Sequence, residues 1–312
     1  MKVYYVSDIH LELRKDKYRF ITPKVPKGLN PTKLDDVIEI MVLAGDIGSP
    51  FHQNYVSLID DCSNTFDHTF VIAGNHEYYT SKSKQHTLEM VDEKIREVCR
   101  SYNNVHFLEC EKPKIIDVHG EQIKFVGCTL WTLSDGLAES VMNDYKNIYL
   151  EDADVDAETT VLLPSGFRNS KTRVKPYRRL LTANDVSYGL HLPMKQYIID
   201  QLEHSKQSNI RTIVVTHHSP SQLMINTQTQ SHSSKFGGQA DVYSKYYYTN
   251  LEHLFVHPLI VWISGHTHTS KSVTINGIQS VSNCFGYPTQ NAKDTGYSEE
   301  SFIDIKIGST PQ

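Results

Sequence analysis

Short runs of β-branched and aromatic residues recur along the chain, each closed by small or polar residues, and this rhythm predicts an α/β protein. The first group comprises Lys2 to Val6, Val37 to Leu43, Thr69 to Ala73 and Gln122 to Val126, each followed within two residues by Gly or Ser. Between the last two, Leu88, Val91, Ile95 and Val98 fall at helical spacing, which predicts a helix packed on a sheet with Ser81 or Ser83 as its N-cap. A second group follows: Arg211 to Val215, Leu259 to Ile263, Ser272 to Ile275, Ile278 to Val281 and Phe302 to Ile307. Asn276-Gly277 joins the third and fourth of these, a strong two-residue hairpin signal, so this group predicts a second, partly antiparallel sheet.

The stretch at about 148–191 follows neither rhythm. It opens acidic (Glu151, Asp152, Asp154, Asp156, Glu158) and turns basic (Arg168, Lys171, Arg173, Lys175, Arg178, Arg179), which reads as an insertion or long loop over one end of the sheets. Its charges suit either a solvated surface or a phosphate-attracting rim. With no internal repeat, residues 1–312 are expected to form one domain carrying that insertion.

Composition narrows the function classes. Apolar residues at 39% and charged residues at 21% suit a globular, soluble chain. The 31 Lys and Arg against 36 Asp and Glu leave a formal charge of −5, which disfavours a general polynucleotide binder while permitting a local basic groove. Five widely spaced cysteines (Cys62, Cys99, Cys110, Cys128, Cys284) with no CxxC pair point to reduced thiols. No run approaches the roughly 18 to 20 apolar residues that cross a bilayer, and the N-terminal apolar run stops at Asp8 before a secretory segment is complete. A cytoplasmic protein is expected, with no membrane partner.

Candidate chemistry lies in five segments, each just after a predicted strand: Ser7-Asp8-Ile9-His10, Ala44-Gly45-Asp46-Ile47, Ala73-Gly74-Asn75-His76-Glu77, Thr216-His217-His218-Ser219-Pro220 and Ser264-Gly265-His266-Thr267-His268. Residues at the carboxyl ends of strands in an open α/β sheet converge even when distant in sequence. Asp8 and His10, two apart in extended backbone, share a face, and His266 and His268 repeat the arrangement. Gly45, Gly74 and Gly265 immediately precede candidate ligands, where a missing Cβ permits tight turns. Mixed carboxylate, amide and imidazole donors suit Mn, Fe, Zn or Ni better than Mg or Ca. Asp8, His10, Asp46, Asn75, His217, His266 and His268 are too many for one tetrahedral zinc, whereas two divalent ions roughly 3.5 to 4 Å apart, sharing a carboxylate, would use them all.

With these segments in this order, from Asp8 to His268, the chain resembles the calcineurin-like metallophosphoesterase superfamily, whose pattern is Asp-x-His, Gly-Asp, Gly-Asn-His, a later His, and Gly-His-x-His. The resemblance implies a four-layer α/β/β/α sandwich of two mixed sheets with a dinuclear metal site at the strand carboxyl edge. It implies that Asp8, His10, Asp46 and His268 hold one ion and that Asp46, Asn75, His217 and His266 hold the other, with His217 chosen over His218 as the first His after its strand. His76 is implied to be a non-ligand histidine that stabilises phosphoryl oxygens or protonates the leaving oxygen. Its alternative is to orient Asn75. The implied reaction is hydrolysis of a phosphate ester by a metal-activated water with no covalent enzyme intermediate, so Ser219 and the cysteines take no part.

Departures narrow the subclass. The protein serine/threonine phosphatase branch carries Gly-Asp-x-Val-Asp-Arg-Gly, whereas here Gly45-Asp46 continues Ile47-Gly48-Ser49-Pro50-Phe51, and Tyr78 and Tyr79 follow Gly-Asn-His-Glu. A phosphoprotein substrate is disfavoured. The segments Ser7 to Glu12, Gly74 to Tyr79, Thr129-Leu130-Trp131-Thr132 and Gly265 to His268 are similar to a group of bacterial and viral metallophosphoesterases. The leading expectation is a phosphomonoesterase or phosphodiesterase for a small phosphorylated molecule or nucleotide. A nuclease of the same superfamily would use Arg168 to Arg179, with Tyr177, as a track for an oligonucleotide. A non-catalytic scaffold is the alternative from another class, countered by the presence of every ligand position.

Overall fold

Residues 1–14, 37–151, 178–225 and 243–308 are described by a computed structural model. In the first sheet, β1 (Lys2–Val6), β2 (Glu39–Ala44), β3 (His68–Ile72) and β4 (Val105–Phe107) run parallel, and β13 (Phe302–Asp304) pairs antiparallel along the free edge of β1. In the second, β6 (Glu121–Cys128), β9 (Arg211–Thr216), β10 (Leu259–Ser264) and β12 (Ile278–Ser282) run parallel, while β5 (Lys114–Val118) and β11 (Lys271–Ile275) close the two edges antiparallel.

Side-chain alternation explains how the layers assemble. Val3 and Tyr5 of β1, Ile40 and Val42 of β2 and Phe70 of β3 share one apolar cluster with Ile123 and Phe125 of β6, Ile213 and Val215 of β9 and Ile263 of β10. Residues two apart point to the same face, so this cluster is the seam between the sheets. Phe70 and Phe125 stack across it at 3.9 Å between centroids, worth about 0.5 to 1.5 kcal/mol beyond the area they bury. The intervening residues, Tyr4, Val6, Met41, Leu43, Val71, Val126, Val214 and Trp262, join a second cluster with the helices. Helices α1 (Gln53–Thr65) and α2 (Leu88–Arg100) contact the first sheet, and α5 (Leu192–Gln207) contacts the second. Two mixed sheets lined by helices on their outer faces give the expected four-layer α/β sandwich.

Helix α2 shows the local logic. Leu88, Val91, Ile95, Val98 and Cys99 are its buried face, each apolar side chain contributing roughly 1.5 to 3 kcal/mol when fully buried. Its N-cap is Thr87, which accepts from the Met90 amide at 3.4 Å, not Ser81 or Ser83. Those two serines lie in the preceding turn and bond to one another at 2.9 Å, too far upstream to reach the first free amides.

Two expected strands change partners. The run at Gln122 forms β6 of the second sheet, and the run at Phe302 shortens to β13 and joins the first, so each sheet borrows from the other half of the chain. The Asn276-Gly277 hairpin forms with both residues at positive φ, 48° and 83°, as a tight turn between right-twisted strands requires. After β6 come two short helices, α3 (Gly136–Val141) and α4 (Asp144–Asn147), then a ribbon of β7 (Tyr149–Glu151) with β8 (Arg178–Leu180). The ribbon pairs Tyr149–Glu151 with Arg178–Leu180, inside the stretch at about 148–191, and Asp185–His191 form a helical turn that runs into α5. Arg168, Lys171, Arg173, Lys175 and Tyr177 fall outside the described residues. Among the described residues no helix is long and apolar enough to cross a membrane.

Candidate metal centre

The five segments meet because five parallel strands end at one edge. Asp8 and His10 follow β1, Asp46 follows β2, Asn75 and His76 follow β3, His217 follows β9, and His266 and His268 follow β10. The two sheets are tied together at this end: Ser7 after β1 bridges to Cys284 after β12, its amide donating to Asn283 O at 3.1 Å and its carbonyl accepting from the Phe285 amide at 2.9 Å. Asp8, His10, Asp46, His266 and His268 all adopt positive φ, between 49° and 68°. Left-handed backbone costs roughly 1 to 3 kcal/mol at each such residue, and it concentrates at functional sites. Gly74 explains the close approach of the loops, because a Cβ there would strike Asp46 Oδ1 and the His217 ring.

Two buried clusters result. One brings Asp8, His10, Asp46 and His268 together, with one potential ligand atom from each lying within 4.8 Å of the others, and the second does the same with Asp46, His217 and His266. Asp46 belongs to both: Oδ2 lies 3.7 Å from His10 Nε2 and Oδ1 lies 3.3 Å from His217 Nε2. Asn75 Oδ1 joins the second cluster, 3.2 Å from His217 Nε2. All seven residues expected from the sequence therefore converge. His217 faces Asp46, whereas His218 turns away and hydrogen-bonds the Thr129 carbonyl through Nδ1 at 3.2 Å.

The partners of the outer ring atoms test whether this donor set fits cations. His268 Nδ1 donates to Gln290 Oε1 at 2.7 Å, His217 Nδ1 to Ala44 O at 2.9 Å, and His10 Nδ1 to Glu12 Oε1 at 3.1 Å. In the neutral form that binds a cation, each of these rings presents a lone pair at Nε2, the arrangement that supports metal-ligating histidines. His10 Nε2 and His268 Nε2 lie 3.1 Å apart with Asp8 Oδ1 3.4 Å from the latter, so lone pairs and a carboxylate oxygen face one another. His266 Nε2 is buried without a hydrogen-bond partner. Such convergence of acceptors is costly unless a positive charge sits among them. The clusters fit a pair of divalent ions sharing Asp46.

The electrostatics agree. Burial works against Asp46, yet His217 and His76 hold its carboxyl well below the ordinary range. Burial lowers His217 too, but Asp46 outweighs it and raises the imidazole to about 10, whereas burial and the His218 and His217 rings hold His266 well below its ordinary value. The charge of Asp46 thus draws positive charge to its own oxygens.

His76 sits beside both clusters. Its amide donates to Asp46 Oδ1 at 2.8 Å, its Nδ1 meets Glu12 Oε1 at 3.2 Å, and its Nε2 lies 3.3 Å from the Tyr287 hydroxyl. Its ring hydrogen-bonds Glu12 and Tyr287 and packs edge-on against the His10 ring at 4.4 Å between centroids. Asn75 is oriented by other groups: its Nδ2 donates to Asp144 Oδ1 at 2.8 Å and to Tyr79 Oη at 3.3 Å.

Several supporting residues go beyond the sequence reading. Glu77 accepts from four backbone amides, those of Asp46, Ile47, Gly48 and Gly74, at 2.7 to 3.2 Å, pinning two ligand loops with one carboxylate. Its adjacency to Gly-Asn-His and the two-residue spacing of Glu12 from His10 were usable signals. Asp144 opens the short helix α4, and Tyr287 and Gln290 lie in an irregular segment; the local sequence of neither carries a comparable mark.

Comparison with known proteins agrees with this geometry. The family model of the calcineurin-like phosphoesterases matches residues 1–270. Protein L509 of Acanthamoeba polyphaga mimivirus is 25% identical over 310 residues, covering 96% of this chain and 95% of that protein. The crystal structure of the phosphopantetheinyl hydrolase of Mycobacterium tuberculosis superposes with a TM-score of 0.59 at 14% identity, covering 100% of this chain and 98% of that one, a likeness of fold.

Proposed function

The chain belongs to the calcineurin-like phosphoesterase family, and from that premise we propose that it hydrolyses phosphate mono- or diesters of a small molecule or nucleotide at this centre. The observation that carries the reading is the sharing of Asp46, one oxygen toward each cluster. In this reading Asp8, His10, Asp46 and His268 hold one ion, and Asp46, Asn75, His217 and His266 hold the other. Two divalent ions, when bound, lower the pKa of a water between them toward neutrality and neutralise phosphoryl oxygens. The rest falls to the chain itself. Burial lowers His76, but Asp46 and Glu12 outweigh it and raise the imidazole to about 9, which favours a proton on Nε2, 3.3 Å from the Tyr287 hydroxyl. That proton serves a phosphoryl or leaving oxygen.

A dedicated oligonucleotide track gains no support from the described part of the basic stretch. Arg178 donates to the Gln85 carbonyl at 2.9 Å, and Arg179 forks onto both oxygens of Asp185 at 2.6 and 2.8 Å. Both guanidinium groups serve the fold.

The test is a panel of mono- and diesters, nucleotides and cyclic nucleotides included, assayed with Mn, Ni, Zn and Mg. Wild-type protein should turn over at least one small ester. His76→Ala should retain its metal while turnover falls by roughly a hundredfold or more, the scale of lost general acid-base help. Loss of metal from His76→Ala would refute its role as a non-ligand.

A further inference from the structure

We propose that Glu12 is a positioning residue whose single oxygen, Oε1, aims both the ion-facing ring of His10 and the substrate-facing ring of His76. The proposal rests on the phosphoesterase reading above.

Glu12 lies on a one-turn 3-10 helix, Leu11–Leu13, that starts directly after His10, and the Leu11 amide anchors this turn to Ile47 O at 2.9 Å. Its Oε1 lies 3.1 Å from His10 Nδ1 and 3.2 Å from His76 Nδ1. The two rings meet edge to face, their centroids 4.4 Å apart at 77°. The carboxylate is largely withdrawn from water: its side chain is 15% exposed and Oε2 is buried without a partner. Gly48 packs over it, where an added Cβ would press on Leu11 Cβ.

A carboxylate taken out of water is costly unless it is paired. Arg14, the nearby cation, spends its own donors elsewhere: Nε on Ile9 O at 2.6 Å and Nη2 on Gly286 O at 2.5 Å, with the guanidinium over the Phe285 ring. The two imidazole N–H groups are therefore the hydrogen-bond donors to Glu12, with the charge of Arg14 nearby. In return each ring is fixed. With Nδ1–H committed to Glu12, His10 presents Nε2 to the ion cluster and His76 presents Nε2 outward. A hydroxyl, that of Tyr287, already lies 3.3 Å from His76 Nε2, so an oxygen fits at hydrogen-bonding range where a leaving group would sit. The spacing between ion ligand and proton donor is thus set by one atom that touches neither ion nor substrate.

Glu12→Gln keeps the shape and removes the charge. The readout is kcat at saturating metal on an activated nitrophenyl ester and on an alkyl ester of the same phosphate class, in the wild-type and His76→Ala backgrounds, with bound metal measured for every variant. The expected result is two ions retained and kcat on the alkyl ester reduced by about tenfold to a hundredfold, with a much smaller loss on the nitrophenyl ester, whose leaving group needs no proton. In the His76→Ala background the same substitution should cost little more. Equal losses on both esters, or losses that multiply with His76→Ala, would overturn the proposal in favour of a purely structural carboxylate. In a metal titration Glu12→Gln should bind about tenfold to a hundredfold more weakly, the mark of a loosened His10 ring, and an unchanged affinity would overturn the proposal too. If wild-type protein turned over neither ester, the phosphoesterase reading would fall and take this one with it; an active wild type with a failed Glu12 pattern would sink only the present proposal.

Discussion

The two sheets contribute unequal halves of the centre. The half delivered by β1, β2 and β3 is braced by buried carboxylates: Glu77 gathers four backbone amides, Glu12 two imidazoles, and Asp144 the amide of Asn75. In the half delivered by β9 and β10 the rings rely on neutral oxygens, the Ala44 carbonyl behind His217 and the Gln290 amide behind His268, while the His266 backbone amide leans on the Asp8 carboxylate of the other half. Both halves bear left-handed backbone at candidate ligands, so strain alone does not explain the contrast. The difference follows from what must be held. Where several N–H groups of two loops converge, one carboxyl group accepts them all, although burial and then Asp46 still raise Glu77 to about 7 against those bonds. A lone imidazole needs one acceptor to fix its ring.

The strongest way to break this comparison is to remove the group common to both halves. Asp46→Asn places an amide NH2 toward one cluster or the other, and both clusters should weaken together. Turnover should fall by more than about a hundredfold, beyond the range of a residue that merely supports a ligand. Metal analysis showing one cluster intact and turnover near wild type would separate the halves.

The next effect distinguishes the braces. Glu77→Gln sets an amide NH2 against backbone donors and should cost at least about 2 kcal/mol of stability in denaturant unfolding of metal-free protein. Gln290→Ala should leave that unfolding nearly unchanged and weaken metal binding by roughly tenfold to a hundredfold in a metal titration. Equal unfolding losses in the two variants would erase the contrast between charged and neutral bracing.

The smallest effect lies outside both halves and serves as a control. The hydrogen bond from Arg179 outweighs burial and holds the Asp185 carboxyl down at about 2. Because this value is below the unfolded one near 3.9, the pair stabilises the fold above about pH 4 and the benefit disappears as pH falls through about 2. The pair is partly exposed and screened, so Asp185→Asn should cost less than about 1 kcal/mol at pH 7, almost nothing at pH 2, and no metal affinity. A pH-independent loss would show that the ion pair is not its source.

Much of this arrangement was legible in the chain, for identifiable reasons. Strand ends followed by Gly-Asp, Gly-Asn-His and Gly-His-x-His mark the convergence edge, because a ligand must leave a strand through a tight turn. The apolar spacing of Leu88 to Val98 likewise marks α2. Sheet membership was not legible: the run at Gln122 has the same alternation in either sheet, and only its pairing with Arg211 to Thr216 assigns it. Helix α1 was readable from Tyr55, Leu58, Ile59 and Cys62 at helical spacing, although no helix was expected there. Asp144 and Gln290 act through tertiary contacts with residues 69 and 22 positions away, and nothing in their local pattern reports that.

The most direct measurement is electron paramagnetic resonance of protein reconstituted with Mn(II), used as a reporter ion. A carboxylate shared between two clusters should give two ions per chain and a spectrum of an exchange-coupled pair, lost in Asp46→Asn. An isolated single-ion spectrum at full loading, or saturation at one ion per chain, would contradict the shared site.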